Sequence, residues 1–270
     1  MKLNYKLYLL LLPFLFFLVS CDLEKDIEVE LPYHEPQLVV ECYLEPGKPL
    51  RATILESSAY FDDPQPPLVP DAEVFISHNG RRTKLSFKPF FDREARKLYT
   101  HQHAELVTGK PGDIYSIEVI DGKGRKATGF TTILPTVPID TVEWKFNDNE
   151  KAYLLTTFQD DANSRNFYRY MVHRDSLNTD SDRDFITDDD LTNGKRTSYG
   201  SAYDYEKGDT LIITFFHIEK PYYDFLQSTS DAKNANGNPF SQPSKIKSTV
   251  QGGFGVFTNL AYDRKVVVIK

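Results

Sequence analysis

From Gln37 onward the chain is written in short runs in which apolar and polar residues take turns. Gln37–Leu44, Leu50–Glu56, Ala72–Ser77, Thr83–Phe87 and Ile114–Ile120 are rich in β-branched and aromatic residues with partial alternation, as are Lys97–His101, Arg125–Thr132, Thr141–Phe146, Ala152–Phe158 and Phe167–His173. That period of two sends every second side chain to one face of a strand. Turn chemistry separates the runs at Pro46-Gly47, Asn79-Gly80, Gly109 to Gly112 and Asp121-Gly122-Lys123-Gly124. Short strands at regular spacing predict a mainly β fold of sandwiches rather than an α/β fold. Pro64-Gln65-Pro66-Pro67 is too proline-rich for a central strand and reads as an exposed loop. Gly112-Asp113-Ile114-Tyr115, at a strand start, has the form of a tyrosine corner.

One helix is predicted, near residues 220–233. Glu219-Lys220-Pro221 suits a first turn, where proline is tolerated, and Tyr222, Phe225, Leu226 and Thr229 follow at helical spacing. Asn234-Ala235-Asn236-Gly237 ends it. Thr210–Ile218 before it is almost continuously apolar and predicts a buried strand; Gly255–Leu260 and Lys265–Ile269 predict two more. The two prolines of Leu134-Pro135-Thr136-Val137-Pro138 stiffen the backbone. They divide an immunoglobulin-like β-sandwich at 36–135 from a second sandwich-like β domain at 136–270 that carries the helix.

The first 35 residues follow another pattern. Lys2 and Lys6 precede the apolar run Leu7–Val19, which Pro13 interrupts. Thirteen helical residues at ~1.5 Å each cover roughly 20 Å, short of the ~30 Å a bilayer core requires. The run therefore reads as a secretory signal over residues 1–20. Leu18-Val19-Ser20-Cys21 resembles the lipobox of bacterial lipoproteins. Small residues admit a peptidase to the bond before Cys21, and the thiol takes the diacylglycerol. Several acyl chains anchor stably, since each buried CH₂ contributes about 0.8 kcal/mol. An ordinary signal peptide with a chance cysteine is the alternative. Asp22, Glu24, Asp26, Glu28 and Glu30 make residues 21–35 a solvated tether. Such an acidic cluster also resembles the surface-export signal of Bacteroidota lipoproteins; a plain charged spacer is the other reading.

Charge and cysteine narrow the classes. Of 32 basic residues, Lys2 and Lys6 leave with the signal, so 30 face 39 acidic ones and the mature chain carries about −9. With no Lys/Arg stripe, that surface repels nucleic acid and anionic headgroups. Once Cys21 is acylated Cys42 has no disulfide partner. It shares a strand face with Leu38, Val40 and Leu44 and is expected in the core.

Candidate chemistry is sparse. His101 and His103 stand two apart on a strand, but no third His or Cys lies nearby, so a polar strand edge is the simpler reading. Asp180, Asp182 and Asp184 copy the first positions of an EF-hand loop; Phe185 then replaces the turning Gly and Leu191 the bidentate Glu. With Asp188, Asp189 and Asp190 they leave a loose Ca²⁺ site as an idea beside a hydrated acidic loop, and no other cofactor is expected. Tyr199, Tyr203 and Tyr205 lie in a polar stretch and are candidates for a ligand-stacking platform, against ordinary core aromatics. The chain has no Gly-x-Ser-x-Gly elbow and no set that suggests a Ser-His-Asp triad, so no catalytic residue is named. Gly252-Gly253-Phe254-Gly255 lacks the Lys-Ser/Thr of a P-loop and leads into a strand; close backbone packing or a bulge is expected instead.

Asn238-Pro239-Phe240-Ser241-Gln242-Pro243, then Lys245-Ile246-Lys247-Ser248-Thr249-Val250, then Gly252-Gly253-Phe254-Gly255-Val256-Phe257 resembles the closing signature of the domain-of-unknown-function family 4249, lipoproteins of Bacteroidota. Leu38-Val39-Val40-Glu41, Asp71-Ala72-Glu73-Val74 and Gly208-Asp209-Thr210-Leu211 agree in order; Thr249 departs where Asn is more usual. The resemblance covers nearly all of the mature chain. It implies an outer-membrane lipoprotein, held by its lipid, that acts as a non-catalytic binding or assembly module accessory to a TonB-dependent transporter. A structural or adhesive surface protein is the alternative, and a glycan- or peptide-processing enzyme the third.

Overall fold

The structure, a computed structural model, describes residues 35–59, 65, 67–236 and 244–270. Leu18, Val19, Ser20 and Cys21 lie outside the described residues, as does nearly all of the acidic tether. The described chain is mainly β. It begins with β1 (Leu38–Leu44), β2 (Pro49–Glu56), β3 (Glu73–His78), β4 (Arg81–Asp92), β5 (Lys97–Leu106), β6 (Ile114–Ile120) and β7 (Lys126–Thr132). Next come β8 (Ile139–Phe146), β9 (Ala152–Gln159), β10 (Phe167–Arg174), β11 (Arg183–Asp188), β12 (Arg196–Gly200) and β13 (Thr210–Ile218). The helix α1 (Lys220–Ala235) precedes β14 (Val250–Gln251), β15 (Phe254–Asn259) and β16 (Ala261–Val268).

Nine strands form one sheet in the order β14-β7-β6-β3-β4-β5-β2-β1-β15. Its long strands turn the corners. β4 pairs with β3 before Ser86 and with β5 from there on; β2 pairs with β5 through Ala52 and with β1 from Thr53. The sheet thus folds over a single core that includes Val40, Cys42, Ile54, Val74, Leu85 and Ile117. Alternation explains the core: Leu38, Val40, Cys42 and Leu44 are buried while Val39, Glu41 and Tyr43 are not fully so. Tyr115 OH donates to Thr108 O (2.6 Å) and accepts from Thr108 N (3.1 Å), the corner contact that Gly112–Tyr115 predicts.

The two edge strands come from far along the chain and from one short segment. β14 pairs with β7, β15 pairs in parallel with β1, and only Gly252 and Gly253 separate them. One stretch therefore reaches both edges and draws the sheet into a near-barrel. Its backbone must come very close to its neighbours. Gly255 has φ +118°, and a Cβ there would lie 2.0 Å from Val40 O; a Cβ at Gly252 would lie 2.1 Å from Lys126 O. The close packing expected of Gly252–Gly255 is what the structure shows.

The second half stacks a sheet ordered β12-β9-β8 on one ordered β11-β10-β13-β16. Leu154, Phe158, Tyr168, Tyr170, Ile213 and Phe215 fill the space between. Against Phe167, Ile218 and Val256, α1 buries Tyr222, so the helix touches both halves. Its Glu219 side chain reaches back to Thr131 Oγ1 and to Thr132 N (2.9 Å) instead of capping the helix. The proline stretch Leu134–Pro138 lies between β7 and β8 and is tied down. Leu134 N donates to Asn259 Oδ1 (3.3 Å), and His217 Nδ1 donates to Pro135 O (2.9 Å).

Gly255→Ala is expected to lose roughly 3 kcal/mol or more, combining left-handed strain with a clash against fixed backbone. Gly47→Ala, with φ +77° but nothing within 4 Å, should lose only about 1–2 kcal/mol. Urea unfolding of the two variants measures the difference.

Candidate functional site

The outer face of β3, β6, β7 and β14 carries an open groove of about 360 Å³, lined by Arg82, Ser116, Glu118, Thr128, Phe130 and Gln251 among others. Register assembles this set. Ser116 stands opposite Phe130, Glu118 opposite Thr128, and Thr128 opposite Gln251, while Tyr115, Ile117 and Val119 turn to the core. Phe130 is 68% exposed, and a ring that open needs a reason. Glu118 sits between Lys126 Nζ (2.6 Å) and Arg82 Nη2 (2.5 Å). Hydrogen bonds from Lys126, then from Arg82, hold its carboxyl below the usual carboxylate range. It is ionised at neutral pH, an acceptor rather than a general acid. Arg82 in turn lies 3.4 Å over the Phe75 ring. An open ring beside hydroxyls, an amide and a fixed ion pair suits a ligand with one apolar face and many hydroxyls. Sequence reading passed over Phe130; the available signal was an aromatic on the polar phase of Lys126–Thr132.

A second cluster joins the halves. Arg169 donates to both oxygens of Asp184 (2.8 and 2.6 Å) and to Tyr222 OH (3.2 Å). Tyr222 meets Tyr43 edge-on at 6.0 Å. Lys97 lies 3.7 Å over the Tyr43 ring and 2.8 Å from Glu41. Burial would pull the Arg169 guanidinium down, but the Asp184 pair raises it overall. These groups satisfy one another, and the cluster is cohesive.

The sequence-based candidates are dispersed. Tyr205 is wholly buried and bridges Ala152; Tyr199 packs among Phe158, Tyr170 and Phe185; Tyr203, 47% exposed, meets Tyr153 edge-on. They form no shared platform, because Tyr205 faces the second core. Asp180, Asp182 and Asp184 each meet a different arginine, Arg96, Arg174 and Arg169. Asp188 and Asp190 share Arg165, whereas Asp189 turns inward to Asn166 N (2.9 Å). Among the described residues no group of three or more His, Cys, Asp or Glu is placed to hold a metal ion. The polar-edge reading of His101 is corrected: the ring is buried, with Nδ1 on Thr100 Oγ1 (2.9 Å) and Nε2 on Ala72 O (3.2 Å). Cys42 is in the core, where burial pushes its thiol up and keeps it unreactive.

One polar centre went unread in the sequence. Buried Asp160 accepts from Tyr168 OH (2.5 Å), Gly194 N (2.6 Å) and Asn166 Nδ2 (3.3 Å), closing the β9–β10 turn onto the loop before β12.

The model of a family described as "Domain of unknown function (DUF4249)" matches residues 24–265. No curated protein matches the chain. Among solved structures it is similar to a point mutant of Salmonella alpha-2-macroglobulin, at 10% identity and a TM-score of 0.26, covering 75% of this chain and 15% of that one. The same protein reacted with methylamine matches at 10% identity and a TM-score of 0.26, over 74% of this chain and 15% of that one. The chain thus spans a small part of those chains, and a likeness this slight carries no argument. No helix of the described residues is long and apolar enough to cross a membrane.

Asp160→Ala should cost about 2–3 kcal/mol, since it strands Tyr168 OH and Gly194 N in the interior; chemical denaturation reads the loss. Burial lowers the pKa of His101, His173 and His217 from the usual 6.5. Each is neutral when folded, so the unfolded chain binds more protons below about pH 6.5 and stability falls as pH drops from there. The urea midpoint should be lower at pH 5.0 than at pH 7.5, above the window in which carboxylates titrate, and the fall should be shallower in His217→Asn.

Proposed function

The chain belongs to the DUF4249 family, and from that membership, its leader and its groove we propose an outer-membrane lipoprotein serving as a non-catalytic binding or assembly module accessory to TonB-dependent nutrient uptake. Cys21 carries the lipid, and the acidic residues after it hold the domain away from the bilayer. The observation that supports ligand binding is the groove around Phe130. Its volume lies within the range of small-molecule sites, of order 300–1,000 Å³. Its charges are paired, so it favours a neutral, hydroxyl-rich ligand. A glycan fits: the C–H face of a sugar stacks on Phe130, and its hydroxyls reach Ser116, Thr128, Gln251 and ionised Glu118.

The second reading is a structural or adhesive surface protein. The outer face of β7 favours it, because an exposed ring can equally join a protein surface.

Glycan-array binding by the purified protein, repeated with Phe130→Ala, separates the two. Loss of one stacking ring should weaken glycan binding roughly tenfold. No glycan binding by either form would defeat the ligand reading. Co-purification of a barrel transporter from membranes supports the uptake role, and a protein that emerges alone counts against it. Mass spectrometry of the mature N-terminus should find diacylglyceryl on Cys21; a free thiol there removes the anchor.

A further inference from the structure

Arg264 stands apart from the arginines around it. Arg169 is paired with Asp184, Arg174 with Asp182 and Asp209, and Arg183 with Asp204. No carboxylate among the described residues pairs with Arg264. Its Nε donates to Thr214 Oγ1 (3.0 Å), and its guanidinium lies 4.7 Å from the centre of the Tyr262 ring. Tyr262 OH is fixed by Glu45 Oε1 (2.5 Å), so that carboxylate is engaged elsewhere. The plane of Arg264 is thus supported, and its two Nη groups remain as a free fork, the shape that grips an oxyanion through two parallel hydrogen bonds.

A second, independent observation lies on the same sheet face. Met171, Thr214 and Arg264 stand in one row across β10, β13 and β16, and His173, Ile212 and Val266 form the next row on that face, two residues along each strand. His173 is only 7% exposed, and its buried Nδ1 has no hydrogen-bond partner. A folded protein seldom leaves such a nitrogen unused.

We propose that Arg264 and His173 form an oxyanion-binding site, with the Nη fork of Arg264 taking a carboxylate or phosphate group and His173 as the second donor. The site is separate from the Phe130 groove and would hold the charged end of a ligand or partner. It is also sensitive to pH. Burial, then the positive Arg264, lowers the pKa of His173; Asp184 and Asp182 beside β11 act the other way, and Arg169 on β10 adds to Arg264. The ring is neutral in the empty site. An anion adds the negative charge that favours its protonated form, so binding takes up a proton and tightens as pH falls.

Calorimetry on the detergent-solubilised full chain tests this. Inorganic phosphate and succinate, titrated separately at pH 7.5, identify the source. Saturable binding of phosphate alone indicates a phosphorylated ligand, of succinate alone a carboxylate, and of both a general oxyanion site. Sulfate, whose charge does not change in this range, is titrated at pH 6.0 and 7.5 for the pH dependence and should bind more tightly at pH 6.0. Arg264→Gln should weaken binding at least tenfold, and His173→Gln should remove the pH dependence while part of the affinity remains. If Arg264→Gln does not fold, as judged by its thermal transition, Arg264→Lys keeps the charge without the fork and should show the same loss. Absence of binding by all three anions, or equal binding by folded Arg264 variants, overturns the proposal. So does sulfate binding that does not change with pH.

Discussion

The parallel contact of β15 with β1 is the constraint on which the rest rests. Without β14 and β15 the sheet would have seven strands and expose two edges, β7 and β1, each a row of unpaired backbone groups. The Val250–Asn259 segment covers both, because Gly252 and Gly255 let its backbone approach two different strands at once. The same segment supplies Gln251 to the groove wall and Val256 to the cluster beneath α1. Closure, the groove and the seating of the helix therefore share one ten-residue device.

Cohesion between the halves is built from polar groups as well as apolar ones. Asn259 binds the proline stretch, Glu219 binds β7, and Arg169 links Asp184 to Tyr222. Hydrogen bonds of this kind contribute modestly each, about 1 kcal/mol net, but are costly to leave half made. They fix how α1 sits rather than adding greatly to stability. Not every polar group at the seam is satisfied: the buried Nδ2 of Asn259 has no partner among the described residues. The groove and the Arg264 face lie away from this seam.

Much of the fold was legible because burial leaves a period. Ile114–Ile120 and Thr210–Ile218 were read to the residue, and α1 from its proline and its 3–4 spacing. β11 and β12 were not read: Arg183–Asp188 and Arg196–Gly200 are held by ion pairs and pairing partners, and lack an apolar phase. β4 and β5 run further than their apolar centres because they turn corners. The glycine run was legible as close packing, but not the strands it would meet, since parallel pairing leaves no local mark. Of the candidate site little was visible. Grooves are made by register between strands distant in sequence, as Ser116, Thr128 and Gln251 show. That Tyr199, Tyr203 and Tyr205 share no platform was not visible in the sequence, because only the fold sends Tyr205 into the core and leaves Tyr203 half exposed.

Tyr262 holds Glu45 across 217 positions, and β15 joins β1 over a similar span. Contacts of such separation form only late in synthesis, because the first sheet emerges with both of its edge strands, β14 and β15, not yet made. The nascent protein is thus kept from finishing its fold early, and a product cut short before Gly255 would remain open along β1 and be readily recognised by proteases.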